Sequence, residues 1–429
     1  MKQFKVILIG AGMRGKTYTD QMARFPDKFK VVGVAEPVDN RREYIKEKHN
    51  CDEKNCFSKW QDILGVPKFA DIAVISTMDR LHFEPAMKAL EMGYDLLLEK
   101  PIAPTAEECG EIYKQAKKYG RKIMVCHVLR FTPFYMQLKK IIDSGKLGKI
   151  MSVEHIEQVG IIHQSHSFVR GNWGNSNRST FMLLQKCCHD LDIIQWLIND
   201  ECSKISSFGS LSYFVRDNAP ENSPERCIDG CPESESCPFN SVKLYYDDKN
   251  NRWFRTVATK NVSPTDEDVL EALKTTQYGK CVFKCDNDVV DHQVVSMEFK
   301  NNATATITMS AFTKGGRATH VMGTKGELHA VMNNPVGTQF DFYDFKTKEK
   351  NYIDSDISVS GDSIVSGHGG GDQGIVCALY DYLTGAIGSE DVSEIGISCS
   401  NHLLVFAAEH SRLNDEIIIV DDFNEKYMK

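Results

Sequence analysis

An apolar run, Val6-Ile7-Leu8-Ile9, opens directly into Gly10-x-Gly12-x-x-Gly15, and a second apolar run, Val31 to Ala35, ends in an acid, Glu36. Strand, glycines, helix, strand and acid follow one another in the order that a dinucleotide-binding βαβ unit requires. Gly10 permits the tight turn, Gly12 lets the backbone approach a pyrophosphate, and Gly15 lets the next helix pack closely on its strand. The helix that begins at Met13-Arg14 presents N–H groups and the positive end of its dipole to the phosphates. Glu36 stands where a carboxylate accepts hydrogen bonds from a ribose diol and repels a 2′-phosphate. That favours NAD over NADP. Arg41 and Arg42 could reach a phosphate instead, but they read more simply as solvated charges on the following helix.

The alternation of short β-rich runs with amphipathic helices continues to about residue 127. Strands are predicted at 4–9, 30–35, 71–76, 95–98 and 122–126, with helices near 13–25, 39–49, 81–92 and 105–119. This grammar is that of a parallel sheet with right-handed crossovers, whose ligands bind at the carboxyl ends of the strands. Gly10, Glu36, Ser76-Thr77, Glu99-Lys100-Pro101 and His127 all fall on that one rim. The buried strand that ends in Glu99-Lys100-Pro101 delivers a lysine there, and the proline restricts the local backbone.

Beyond residue 130 the pattern changes. A helix near 133–143 leads into long alternating runs at 149–159, 204–215, 279–284, 290–300, 302–312 and 317–322, with a hairpin signal at Asn301-Asn302. Helices are expected near 180–198, 372–385 and 396–414, and a last strand at Ile417–Val420. The stretches 216–240 and 355–374 read as surface loops. The expected architecture is α/β in two domains. Residues 1–127 form a dinucleotide-binding Rossmann domain. Residues 128–429 form an α/β domain with a large, mostly antiparallel open sheet, and the last helices can return to the first domain.

At 429 residues the chain is long enough for two cores. A net charge of −8 without any basic block argues against nucleic acid. No apolar stretch suffices to cross a bilayer. Met1 to Phe4 run straight into the first strand, leaving no room for a signal peptide, so the expected location is the cytoplasm.

Together, Gly10-x-Gly12-x-x-Gly15, Glu36, Glu99-Lys100-Pro101 and His189-Asp190-Leu191-Asp192 resemble the Gfo/Idh/MocA oxidoreductase family over nearly the whole chain. The resemblance implies NAD(P)-dependent oxidation or reduction of sugars, cyclic polyols and their glycosides. It makes Lys100 the lysine that contacts nicotinamide ribose and substrate, and His189 the catalytic histidine. Many family members carry an aspartate four residues before that histidine, where this chain has Gln185. A glutamine cannot take a proton or hold an imidazolium by charge. Lys186, three residues before His189, is the expected substitute. An imidazole suits removal of a hydroxyl proton at cellular pH, and an ammonium suits the developing alkoxide. Cofactor contacts are expected from Gly10, Gly12, Met13, Arg14, Gly15, Glu36, Ser76, Thr77, His82, Glu99, Lys100 and Arg130. Substrate contacts are expected from His127, Trp173, Gln185 and His189.

Two other functions stay open at the level of sequence. One is a glycosidase that oxidises, eliminates and re-reduces with the same NAD. The other is a regulatory NAD-binding protein without turnover. An open sheet with a free face also implies a homo-oligomer. Finally, Cys227, Cys231 and Cys237 crowd one Pro-rich loop, a pattern that suggests structural zinc. A closed site needs a fourth ligand, from Cys188, Cys202, Cys281 or a histidine.

Overall fold

A computed structural model describes residues 2–261, 263–332, 339–354 and 368–429. The first sheet contains β1 (Phe4–Ile9), β2 (Phe29–Ala35), β3 (Cys56–Phe57), β4 (Ile72–Ile75), β5 (Asp95–Leu98) and β6 (Ile123–Val125). Its strands are all parallel and run in the order β3-β2-β1-β4-β5-β6. The order reverses between β2 and β4, on either side of β1. That switch point is where a doubly wound sheet opens a crevice for its ligand. Helices α1 (Met13–Met22), α2 (Asp39–His49), α3 (Trp60–Ile63), α4 (Phe83–Glu91) and α5 (Ala106–Tyr119) connect these strands. β1 and β4 are almost entirely buried because helices cover both faces, so they read as unbroken apolar runs rather than alternating ones.

After α6 (Pro133–Asp143), nine strands form the second sheet: β7 (Ile150–Gln158), β8 (Cys202–Ser210), β9 (His292–Phe299), β10 (Thr304–Ser310), β11 (Gly316–Gly323), β12 (Gly326–Met332), β13 (Gln339–Asp344), β14 (Lys350–Asp354) and β15 (Ile418–Ile419). The order is β14-β13-β12-β11-β7-β10-β9-β8-β15, antiparallel except for the β7–β10 pair. Strict alternation of buried and exposed residues along β9 places one face on the core and the other outside. The β9–β10 turn forms at Asn301-Asn302, with Asn302 at φ 66°, a conformation asparagine tolerates. After α7 (Ile161–His163), α8 (Met182–Ile198) covers the inner face. The chain ends with α9 (Arg252–Thr259), α10 (Asp266–Thr275), α11 (Gly371–Thr384), α12 (Ile395–Asn414) and α13 (Val420–Met428). Ile375, Val376 and Leu379 of α11 pack into the first domain's core, as do Ile395, Cys399 and Leu403 of α12.

Several expectations need correction. The strand expected over 204–215 stops at Ser210, because the Asp291 carboxylate captures the backbone N–H groups of Ser212 and Tyr213 and turns the chain. Residues 279–284 are two short 3₁₀ turns; Val282 and Phe283 bury themselves in a satellite core with Phe214 and Phe239 instead of joining the sheet. At 417–420 only Ile418-Ile419 pairs, and Val420 begins a helix whose first turn carries Asp421 and Asp422. Of the loop expected at 355–374, residues 355–367 lie outside the described residues, and α11 already begins at Gly371. Strands β12 to β14 and helix α10 escape the periodicity reading, although the Thr265-x-x-Asp268 capping box of α10 is a legible helix start.

Candidate active site

The glycine loop leaves β1 with Gly10 at φ 89°. A side chain at Gly10 would strike the Ser76 carbonyl at 2.7 Å, and one at Gly15 would strike the Gly10 carbonyl at 2.1 Å. Nothing lies within 4 Å of the corresponding position at Gly12. Two glycines are therefore demanded by the protein's own packing, and the third faces open space where a pyrophosphate fits. Ser76 ties the loop to β4 by donating to the Gly10 carbonyl at 2.8 Å. Glu36, 4% exposed, accepts from the backbone N–H groups of Ala11 (2.7 Å) and Val38 (2.9 Å), which holds its carboxylate beside the loop. Arg42 is occupied by the Glu36 carbonyl and Asp39, at 2.7 and 2.5 Å.

Other residues of this set serve the walls. His82 is fully buried and bridges the carbonyls of Pro101 (2.7 Å) and Thr77 (3.2 Å). Thr77 itself donates to the Leu81 carbonyl. Met13 opens α1 as a half-buried residue. Arg14 turns back into the protein, to Glu99 (2.8 Å), Tyr18 (2.5 Å) and Asp372 (2.7 Å), and so links the glycine loop to β5 and α11. Burial pushes the Glu99 carboxyl up, but Arg14 and Lys100 override it and hold the group below the usual range. The Glu99 carboxylate in turn accepts from the Lys100 backbone N–H at 2.7 Å and fixes the root of that lysine.

From that root Lys100 extends toward α8, where its ammonium donates to the Gln185 carbonyl at 2.7 Å. One helical turn further on stands His189, 9% exposed. The His127 ring lies 5.5 Å from His189, edge to face, and 5.3 Å from His402. Neither ring nitrogen of His127 has a partner within the protein although the residue is fully buried, and burial lowers its pKa, so the ring is neutral. Lys100, His189 and His127 therefore meet at one place.

The remaining expected residues have other neighbours. Gln185 folds its side-chain amide back onto the Thr180 carbonyl at 2.7 Å. Lys186 lies 3.2 Å from Glu157 of β7. Arg130 forms a buried two-pronged pair with Asp192 (2.6 and 2.8 Å), whose carboxylate also accepts from Asn401. Trp173 is half-buried against the second-domain core, 6.2 Å from Phe168. Sequence reasoning missed the network beneath α8. Arg317 of β11 pairs with both Glu157 and Asp190 at 2.7 Å, and Asp190 also holds His155 at 2.9 Å. Burial pushes the Asp190 carboxyl up, and Arg317 with His155 holds it well below the usual range. Asp190 sits next to His189 in sequence, but its partner is 127 residues away and leaves no local signal. In the cysteine loop, no three of the sulfurs lie within 4.8 Å of one another; among the described residues only His320, Glu327 and His329 are that close. The loop's three cysteines are thus not a closed ligand set by themselves.

Comparison with known proteins agrees with this two-domain fold. Residues 4–127 match the NAD-binding Rossmann fold of the Gfo/Idh/MocA oxidoreductase family, and residues 139–351 match its C-terminal α/β domain. The chain belongs to that family and is an NAD-binding oxidoreductase. It is 24% identical over 400 residues to the oxidoreductase YteT of Bacillus subtilis, covering 85% of this chain and 87% of the relative. It is 27% identical over 207 residues to the inositol 2-dehydrogenase/D-chiro-inositol 3-dehydrogenase of Lactiplantibacillus plantarum, covering 48% of this chain and 55% of that enzyme. In fold it resembles scyllo-inositol dehydrogenase of Lactobacillus casei, solved with NAD(H) and scyllo-inositol, with a TM-score of 0.66 and 16% identity over 98% of this chain and 100% of the other.

Proposed function

We propose that the protein oxidises a secondary ring hydroxyl of a sugar, glycoside or cyclic polyol, with NAD as partner. The observation that carries this reading is the Lys100 ammonium bonded to the Gln185 carbonyl, one helical turn before His189. Gly12, Glu36 and the N-terminus of α1 hold the dinucleotide, with Ser76, Thr77, His82, Glu99 and Arg130 shaping the walls around it. NAD, when bound, supplies the hydride acceptor.

His189 takes the proton of the reacting hydroxyl. Lys100 stabilises the alkoxide as it forms, and in the reverse direction polarises the carbonyl. Lys186 and Glu157 bound the substrate pocket on the β7 side, and His127 supplies unsatisfied ring nitrogens to a substrate hydroxyl. Trp173 and Gln185 complete the pocket. The relatives named for inositol oxidation support a cyclic polyol or sugar as the substrate class.

We also infer a homo-oligomer through the outer face of the second sheet. There Phe208, Val294, Thr308, Ile156, Ala318 and Val331 are successive cross-strand neighbours and form one row across six strands. Phe208 is 64% exposed, a poor end state for a large apolar side chain on an open sheet. None of the fourteen cysteines is joined in a disulfide, which supports a reducing, cytoplasmic setting.

The deciding experiment incubates the protein with NAD and a panel of cyclic polyols, free sugars and glycosides. Reduced nicotinamide accumulating in proportion to substrate is expected. Release of aglycone with no net reduction of NAD would move the assignment to the glycosidase reading, and no turnover on any class would contradict both.

A further inference from the structure

We propose that Cys227, Cys231, Cys237 and Cys281 together hold one zinc ion, with the buried Arg170 guanidinium as its charge partner. The fourth sulfur comes from outside the loop. An antiparallel bridge between Arg226 and Lys280, and the hydrogen bond from the Cys281 N–H to the Glu225 carbonyl at 2.9 Å, set residue 281 opposite residue 225, two residues before Cys227. All four cysteines line one small cavity with Arg170 and Phe239. Its volume is about 20 Å³, room for a single ion or water and nothing larger. Cys285, the next cysteine, donates its thiol to the Cys281 carbonyl at 3.4 Å and does not line the cavity.

Arg170 gives the second, independent observation. It is 1% exposed; its Nε and Nη2 donate to the carbonyls of Lys280 and Phe239, both at 2.8 Å, and Nη2 also reaches Cys227 Sγ at 3.8 Å. Its Nη1 has no hydrogen-bond partner, and the acidic groups that act on it are the Tyr245 phenol and the thiols of Cys227, Cys281 and Cys285 rather than a carboxylate. A buried cation without an anion is costly. Four thiolates around a divalent ion carry a net charge of −2 and supply what is missing. No three of the sulfurs lie within 4.8 Å of one another, whereas 2.3 Å zinc–sulfur bonds in a tetrahedron set them roughly 3.8 Å apart, so ligation draws them into the cavity they line. Bound metal would fasten the 211–285 excursion, whose core of Phe214, Phe239, Val282 and Phe283 is small, onto the segment that carries Val169 and Arg170.

The test is metal analysis of the full chain purified without chelator or immobilised-metal resin, followed by cobalt exchange. One zinc per chain is expected, with cobalt giving thiolate charge-transfer bands and intense tetrahedral d–d bands. Cys281→Ser should reduce bound zinc to background, and Arg170→Gln should weaken zinc affinity about 10-fold or more. Should the cysteine variant fail to fold, the wild-type zinc content and cobalt spectrum decide alone. No stoichiometric metal, a Cys281→Ser protein that retains zinc as the wild type does, or iron with acid-labile sulfide in place of zinc would each overturn the proposal.

Discussion

The Lys100 ammonium donates to the main-chain carbonyl of Gln185 at 2.7 Å, so the lysine that closes β5 of the first domain is anchored on the helix of the second domain that carries His189. Neither domain holds the whole of the proposed site. In the proposed mechanism, movement of α8 against β5 changes the reaction geometry, and the residues at that boundary are where tests are most informative.

The proposed preference for NAD over NADP rests on Glu36. Its carboxylate is positioned by the Ala11 and Val38 N–H groups and has no competing cation, because Arg42 is held by the Glu36 carbonyl and Asp39. Glu36→Ser removes the repulsion toward a 2′-phosphate. The ratio of kcat/KM for NAD to that for NADP is expected to fall by about 10-fold or more, an effect of about 1.4 kcal/mol. An unchanged ratio would mean that other residues set the preference.

The Arg130–Asp192 pair ties the turn at 128–131, just after the first domain, to α8. Burial raises the Asp192 carboxyl, and Arg130 more than offsets this, so the aspartate is charged in the folded state. Asp192→Asn leaves a buried guanidinium without its anion, and a loss of about 3–5 kcal/mol is expected in denaturant unfolding. Replacing both residues, Arg130→Met with Asp192→Leu, should recover much of that loss. If the double variant is no more stable than the single one, the pair's geometry rather than its charge balance matters.

Acid sensitivity follows from His402. Burial, then the neighbouring His127, pushes its pKa down to about 3. The folded value lies below the unfolded one of about 6.5, so the neutral ring's contribution is complete above that pH and is lost as pH falls. Each pH unit below about 6.5 costs about 1.4 kcal/mol at this one residue until the folded value is approached. His402 accepts from the Ile102 N–H at 3.1 Å and contacts the Ser398 carbonyl at 2.8 Å, contacts that a glutamine can imitate. His402→Gln should therefore flatten the fall in stability between pH 6.5 and 4, measured by denaturant midpoints. A slope identical to wild type would assign the acid loss to other groups.

On the second sheet, Phe208→Glu with Ile156→Lys places charges within the apolar row. A shift to monomers in light scattering at micromolar protein is expected. An unaltered assembly would locate the contact elsewhere.

Which of these residues can be read from sequence depends on distance along the chain. Gly10, Gly12, Gly15 and Glu36 are legible because the turn, the close approach and the ribose acid all belong to one βαβ unit. The lysine of Glu99-Lys100-Pro101 is legible because a buried strand fixes where it emerges. The partners are not: Glu157 for Lys186, Asp192 for Arg130 and Arg317 for Asp190 are set by how α8 packs on a nine-stranded sheet and on the turn at 128–131. Residues 279–284 mislead for the same reason. An apolar run of that length fits a strand or a satellite core equally well, and only Phe214 and Phe239 decide it.

The central claim is that Lys100 and His189 act on one reacting hydroxyl. The direct measurement is a paired one, NAD affinity by calorimetry and single-turnover reduction of NAD, on Lys100→Met and His189→Ala with the best substrate of the panel. NAD affinity within about twofold of wild type, and turnover lower by about 10²-fold or more in each variant, is the predicted result. Near-wild-type turnover in both variants would contradict the account.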